Sequence, residues 1–584
     1  MKFRFYLVLF CLLLLPVSGN AESLHLKIKC ADKKLQKILE PALVLPPALI
    51  SDGRINKNWL DHFQKKIPEK VHAILEPYGY FHSQVSSQIK EVKPGEYHLR
   101  VKVTPGIPLR ITTLKLELTG SVQRLPEIEQ LRKDFPLKVG DILRQDIYKK
   151  GKSALLQGVI NLGYFDAKFK QHQILVDQDK RQINIILHIE SNGRFRFGET
   201  TFKNHGDYQD HFLRRYITYK EGEYFSQTKL NQTRRKLRDA NLFRSIEIKP
   251  LRDQATDHRI PISISLESAP RHQLLPGIGY GTDTGVRGSL RYRNRNLFHR
   301  GHEFEGDLRV SKKDQYFLTT YTIPDQDTLD RRTMLHAGII REDNTSYESH
   351  KLFTEEEYQR SFNNELTGSL FIRQERERYW IGDDHSKLSF LLLPGARLSW
   401  RHVDNLLTPR QGIQTRLELK GGYKDCLSDI SILRVTSNVT TIYPLPQQLS
   451  LLLRLRGGAT WHSDSFSEVP ASLRFFPGGG KGIRGYKYKS LGPKDNNGQV
   501  IGGKHQLIAN IELEKKLNKD WGVVIFTDIG NSFNSLSEYH SKQGAGIGVN
   551  YYTVIGPVHI DIARPIGDND KKNYRLSLSV GAQW

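Results

Sequence analysis

From Arg271 to Trp584 the chain alternates apolar and polar residues with a period of two, and Gly, Asn and Asp turns interrupt the alternation at short intervals. Glu303–Val310 (EFEGDLRV), Tyr316–Ile323, Met334–Ile340, Gly412–Leu419 and Val558–Ala563 all show it. That period sends successive side chains to opposite faces of a strand, so each strand needs one apolar and one wet surrounding. About 315 residues, at roughly 20 per strand and turn, allow about 16 tilted antiparallel strands. In lipid an open sheet edge would leave backbone groups unsatisfied, so the sheet has to close. A 16-stranded antiparallel transmembrane β-barrel is therefore expected over 270–584. An array of soluble β-sandwiches would share the alternation, but it explains neither the aromatic C-terminus nor the N-terminal half described next.

The first 21 residues read as a secretory signal. Lys2 and Arg4 form the charged region, Phe5–Pro16 the apolar stretch, and Gly19-Asn20-Ala21 a small-residue cleavage site. The apolar stretch is too short to span a bilayer, and later ones such as Leu388–Pro394 fall far below the roughly 18 residues a helix needs. A mean hydropathy of −0.50 excludes a helical membrane protein but not a barrel. Loss of Lys2 and Arg4 with the signal, and of no acid, lowers the net charge from +24 to +22. The positive charges are dispersed and an exported chain rarely meets nucleic acid, so anionic headgroups or acidic clients are the expected partners. Cys11 leaves with the signal. Cys30 and Cys426 are too few for a disulfide framework, and no Cys/His group has zinc spacing.

Residues 22–269 repeat. Gly79-Tyr80-Phe81 returns as Gly163-Tyr164-Phe165 and, degraded, as Asn241-Leu242-Phe243, with spacings of 84 and 78. Lys138-Val-Gly140-Asp141-x-Leu143-x-Gln145 matches Lys220-Glu-Gly222-Glu223-x-Phe225-x-Gln227. Each unit opens on a strand (Arg110–Leu118; Phe195–Phe202) and continues through two helical stretches, the second being Arg144–Leu162 or Gln227–Ala240. It closes on a hairpin, Asp166–Leu175 with Gln182–Glu190 or Arg244–Leu251 with Arg259–Glu267. The motif aromatics are expected to pack helix on sheet. This β-α-α-β-β unit of about 80 residues resembles the POTRA domain. The expected limits are 22–106, 107–192 and 193–269. Exposed edges of POTRA sheets can accept a client strand through main-chain hydrogen bonds.

No catalytic constellation stands out: there is no G-x-S-x-G, H-E-x-x-H or P-loop pattern. Gly277-Ile-Gly279-Tyr-Gly281 is half of a dinucleotide fingerprint, but it lies in an alternating strand and fits a barrel wall better. The chemistry concentrates in Phe475–Tyr488 (FFPGGGKGIRGYKY), where glycines crowd around Arg484. They let the backbone fold tightly, and a guanidinium seeks an acidic partner in a planar, bidentate geometry. A loop folded back into the barrel fits both.

Ile483-Arg484-Gly485-Tyr486 resembles the VRGF/VRGY signature of the sixth extracellular loop in the BamA/TamA outer-membrane assembly superfamily. The resemblance implies that this loop enters the lumen and that its arginine meets the acid of a Phe-x-Asp motif, here Phe526-Thr527-Asp528. It implies Glu512, on the preceding strand, as a second acceptor. Asp404–Gly412 and Gly556–Asp561 match further family turns, and the terminal YRLSLSVGAQW ends on an aromatic, Trp584, as barrel-targeting signals and interfacial anchors do. Three repeats, the tyrosine form of the loop motif and the overall length are most similar to the TamA, translocation and assembly module, branch. That likeness implies an inner-membrane-anchored TamB-like partner docking at the first POTRA domain. It also implies insertion of autotransporters and other outer-membrane proteins, with no enzyme activity, cofactor or metal and a monomeric barrel. A lateral seam is expected between the first strand, with Gly277, Gly279 and Gly281, and the last, where Gly581 and Trp584 lie. A lipid conduit between membranes, or a porin or two-partner-secretion pore, are the alternative roles.

Overall fold

The computed structural model describes residues 22–51, 54–382, 385–405, 409–480, 482–553, 556–567 and 574–580. The secretory-signal residues, Gly581 and Trp584 lie outside the described residues. The chain divides into two compact units. One comprises Met1–Thr201, Tyr219–Gln232 and Ile248–Ser263; the other comprises Phe202–Thr218, Thr233–Glu247 and Ile264–Trp584, so the third repeat contributes to both.

The first repeat runs β1 (Ser23–Cys30), α1 (Lys33–Ala42), α2 (Lys57–Leu75), β2 (Gln84–Lys93) and β3 (Glu96–Thr104). The second runs β4 (Arg110–Thr119), α3 (Pro126–Lys133), α4 (Gln145–Asn161), β5 (Lys168–Asp177) and β6 (Gln182–Glu190). The third runs β7 (Arg196–Lys203), α5 (Asp210–Arg214), α6 (Gln227–Asp239), β8 (Phe243–Pro250) and β9 (Arg259–Ser268). In each, the last strand lies between the other two, giving sheets β1-β3-β2, β4-β6-β5 and β7-β9-β8. In the first two, the opening strand pairs with it in parallel and the hairpin is antiparallel.

The repeated sequence motifs are repeated hydrogen-bond geometry. Lys138 N donates to Asp141 Oδ2 (2.8 Å), and Lys220 N to Glu223 Oε2 (3.1 Å). The intervening Gly140 and Gly222 have φ of +95° and +79°. Their N–H groups donate to Ile111 O and Phe197 O, both at 2.8 Å, so each turn clips onto the opening strand of its own repeat. Outside the membrane, the Lys229 ammonium beside Glu223 holds that carboxyl below its ordinary range. Gly79, Gly163 and Asn241 also share a left-handed φ (+87°, +99°, +54°), and asparagine tolerates that conformation better than most residues.

The motif aromatics divide the work. Tyr80 packs against the core of the first repeat and Tyr164 is buried in that of the second. The phenylalanines do not stay with their own sheets, as the helix-on-sheet reading expected. Phe81 packs against the core of the second repeat, and Phe165 meets Phe195 and Phe225 of the third edge-on at 5.6 and 4.6 Å. The tyrosine stabilises a domain and the phenylalanine a joint.

Sixteen antiparallel strands, from His272–Gly281 to Arg575–Val580, form one sheet in sequence order and build a nearly closed barrel. Alternation sorts the side chains. On Trp521–Phe533, Val523, Ile525 and Ile529 are exposed on the outside, while Val524, Phe526 and Asp528 point inward and are buried. Outward aliphatic residues are what a lipid-facing wall requires, and on the inner face the apolar Val524 and Phe526 flank the carboxylate of Asp528.

Candidate functional site

The segment between the strands Leu449–His462 and His505–Lys516 folds into the lumen. Its base is tied down by Phe475 and Gly503, which exchange backbone hydrogen bonds at 3.0 and 2.9 Å. Arg474 donates to the carbonyls of Ser467, Val469 and Ile501. On the far wall, buried Glu377 accepts from Ser349 Oγ (2.8 Å) and from Ser472 N in the loop (3.1 Å).

At the tip Arg484 is 4% exposed. Its Nε donates to Asp528 Oδ2 and its Nη2 to Asp528 Oδ1, both at 2.8 Å; its backbone N–H also reaches Oδ2, at 2.9 Å. Nη2 stands 2.9 Å from Glu512 Oε1, and Nη1 donates to Asp561 Oδ2 at 3.2 Å. The guanidinium lies over the Phe526 ring, 3.4 Å from its centroid. The planar fork matches Asp528 in two places, and its remaining edge serves two further carboxylates. Glu512 is shared, since Arg454 Nη1 approaches it at 2.6 Å. Ile483 and Tyr486 pack with Leu491 and Ile508 beneath this cluster.

Glycine is required where the loop meets the wall. A Cβ on Gly544 would stand 1.9 Å from the Arg484 carbonyl oxygen. Gly485, at φ +94°, would place one 2.7 Å from the Arg564 backbone. The turn is pressed against two strands with no room for a side chain.

Sequence reasoning singled out Arg484, Asp528, Glu512 and Phe526, and the fold brings all four together. It did not name Asp561 as a partner, although the alternation Ile560-Asp561-Ile562 placed that carboxylate inward. Asn510 was also missed; its Nδ2 donates to Gly482 O at 2.8 Å. So was a charged array on the opposite wall, in which Arg397 bridges Glu355 (2.8 Å), Glu357 (2.7 Å) and Glu418 (2.7 Å). Its signal lay in the run of three glutamates at Glu355–Glu357 and in the alternating charges of Arg373–Arg378.

The first and last strands approach each other, but no ladder joins them among the described residues. Gly277, Gly279 and Gly281 lie on the first strand, together with Pro276, which offers no N–H. Side chains on both faces of that strand are exposed, Ile278 at 90% and Leu275 at 47%. Among the described residues, the last strand pairs with its inner neighbour from Val558↔Val580 to Ala563↔Arg575. The lumenal loop reaches both sides of this gap. Gly480 N donates to Asp283 Oδ2 in the first hairpin (2.7 Å), and a Cβ on Gly480 would stand 2.6 Å from Ser577 Oγ on the last strand.

Residues 296–584 match the Omp85 superfamily domain, residues 25–105 match POTRA domain TamA domain 1, and residues 115–192 match the surface antigen variable number repeat, a POTRA domain. The chain is similar to the outer membrane protein assembly factor BamA of Nitratidesulfovibrio vulgaris, 22% identical over 80% of this chain and 60% of the relative. It is likewise 22% identical to BamA of Neisseria meningitidis, over 76% of this chain and 59% of the relative. The chain thus spans about 60% of the length of these curated relatives. Among solved structures, Haemophilus ducreyi BamA lacking POTRA domains 1–3 superposes with a TM-score of 0.71 at 17% identity. That match covers 81% of this chain and 99% of the other.

Proposed function

We propose, for a chain that belongs to the Omp85 superfamily, lies in the outer membrane and holds its POTRA domains in the periplasm, that it assembles client outer-membrane proteins at the unjoined seam of its barrel. The observation that carries this reading is the pair of edges His272–Gly281 and Arg575–Val580, which no ladder joins among the described residues, bridged by a loop that Arg484 pins to the inner wall. An unpaired strand edge is a template for another strand. A nascent client strand that pairs there satisfies its backbone as it enters lipid, where an unpaired group is costly. The client's own folding supplies the driving force, and the barrel lowers the kinetic barrier.

The finer assignment is to a TamA-like factor acting on autotransporters and other outer-membrane proteins, with an inner-membrane TamB-like partner docking at the first POTRA domain. Support comes from the first repeat's likeness to POTRA domain TamA domain 1 and from the tyrosine of the loop motif, Tyr486.

The test is a disulfide engineered across the seam between His272–Gly281 and Arg575–Val580, in a chain whose Cys30 and Cys426 are replaced. The oxidised protein is expected to stay folded and to stop inserting a reporter autotransporter, and reduction is expected to restore insertion. Full activity while crosslinked overturns the seam and leaves the lumen or the POTRA edges as the route, as a lipid conduit or a pore would use. A crosslinking probe on the last strand that captures no client in the reduced state overturns it as well.

A further inference from the structure

We propose that the first POTRA domain carries a binding site for a borderline transition-metal ion, Zn2+ being the natural occupant, formed by His25, Glu96 and His98. His25 on β1 and His98 on β3 are direct partners in the parallel ladder, and Glu96 lies two residues before His98 on the same strand. Leu24, Ile28, Leu99, Val101 and Val103 form the core, so the three polar residues share the opposite, outward face. One ligand atom from each lies within 4.8 Å of the other two. His98 Nε2 and Glu96 Oε1 are already 3.2 Å apart, and the two imidazole rings meet edge-on at 5.4 Å. A tetrahedral zinc with ligands at about 2.0–2.1 Å sets its donor atoms roughly 3.3 Å from one another, so only the exposed His25 ring has to swing inward.

Donor chemistry selects the ion. Two imidazoles and one carboxylate suit zinc and its neighbours, whereas calcium and magnesium want an all-oxygen shell. The surroundings bear on how an ion would be held. On the same face Lys90 lies opposite His98 and Lys27 opposite Arg100, and Lys93 approaches Glu96 at 4.0 Å. Such a basic border opposes any dication equally, so binding rests on the coordinate bonds of the two imidazoles, which zinc forms and magnesium or calcium does not. Three protein ligands leave a fourth position to water, and the ion would clamp the edge strand β1 to the central strand β3.

The experiment uses the full chain without a histidine tag, in detergent micelles, titrated with Zn2+ against a chromogenic chelator and with Co2+ by its visible absorption. One equivalent is expected, undisturbed by excess Mg2+. His98→Ala should abolish it, and His25→Ala or Glu96→Gln should weaken it on the order of ten-fold or more. His62→Ala, on α2, should leave it unchanged. Hydrogen exchange of Ser23–Cys30 should slow with zinc in the wild type and not in His98→Ala, which also reports that the variant is folded. Equal affinity in wild type and His98→Ala, loss of binding to Mg2+, or β1 exchange indifferent to zinc would each overturn the site.

Discussion

Arg484 is a single side chain holding together four strands' worth of charge, because Glu512, Asp528 and Asp561 come from different strands and Arg454 shares Glu512. Removing it leaves carboxylates buried without their partner, at a cost of about 3–5 kcal/mol in comparable buried pairs. Arg484→Lys keeps the charge but loses the fork, and it is expected to free the loop and impair assembly. Faster trypsin cleavage at Lys487 or Lys489 with the barrel intact is the readout; wild-type protection in this variant would refute the latch. Gly544→Ala should release the loop without touching any charge, since its new Cβ would collide with the Arg484 carbonyl. Gly457→Ala, with nothing within 4 Å of its new methyl group, is the matched control. Equal protease sensitivity of the two alanine variants would show that the close approach is unimportant.

Between elements, the loop and the seam are coupled by two weak contacts rather than by a ladder. Asp283, in the hairpin after the first strand, accepts from Gly480 N, and Ser577 on the last strand borders the same residue. Asp283→Ala should loosen the first hairpin alone and leave the Arg484 cluster in place. The expected result is faster hydrogen exchange in Gly285–Leu297 with unchanged protection of Trp521–Phe533; equal change in both would mean that the loop moves as one body. In the repeats, the left-handed glycine after the second helix is the corresponding weak point. Gly163→Ala places a Cβ 3.1 Å from Phe225 O at φ +99° and should destabilise by roughly 1–3 kcal/mol. Asn241→Gly should be close to neutral. Urea melts of the fragment 24–268, which keeps Gly163 beside Phe225, test both.

At the scale of the whole molecule, an exported, repetitive half is joined to a strand-rich half that needs lipid. Residues 24–268 are expected to be soluble alone, with protease cutting first near 105–108 and 191–195. The third repeat shares its compactness with the barrel, so it should be the least stable of the three outside the full chain. A fragment that resists cleavage as one indivisible core, or that is cut at random, would overturn these boundaries. The seam disulfide is the matching test for the barrel, where hydrophobic residues on both faces of the first strand are exposed and no ladder joins it to the last among the described residues.

Local chemistry was sufficient for much of this. A period of two and the turn geometry of Lys-x-Gly-acid depend on residues close in sequence, and the repeated motifs stand at a regular, domain-sized spacing, so strands, repeats and the glycine positions could be read from the chain. Arg484 and Asp528 were legible through a motif resemblance, because the physics of a guanidinium demands an acid but does not say which. Only the tertiary structure decided that Asp561 and Arg454 join that cluster, that Phe81 and Phe165 leave their own sheets for the next domain, and that Gly480 meets Asp283 across the seam. Those contacts join residues far apart in sequence. Strand tilt and stagger set which inward side chains share a level in the lumen, and closure of the sheet brings its two ends together. Alternation tells a residue to face inward; it carries no information about what it will face.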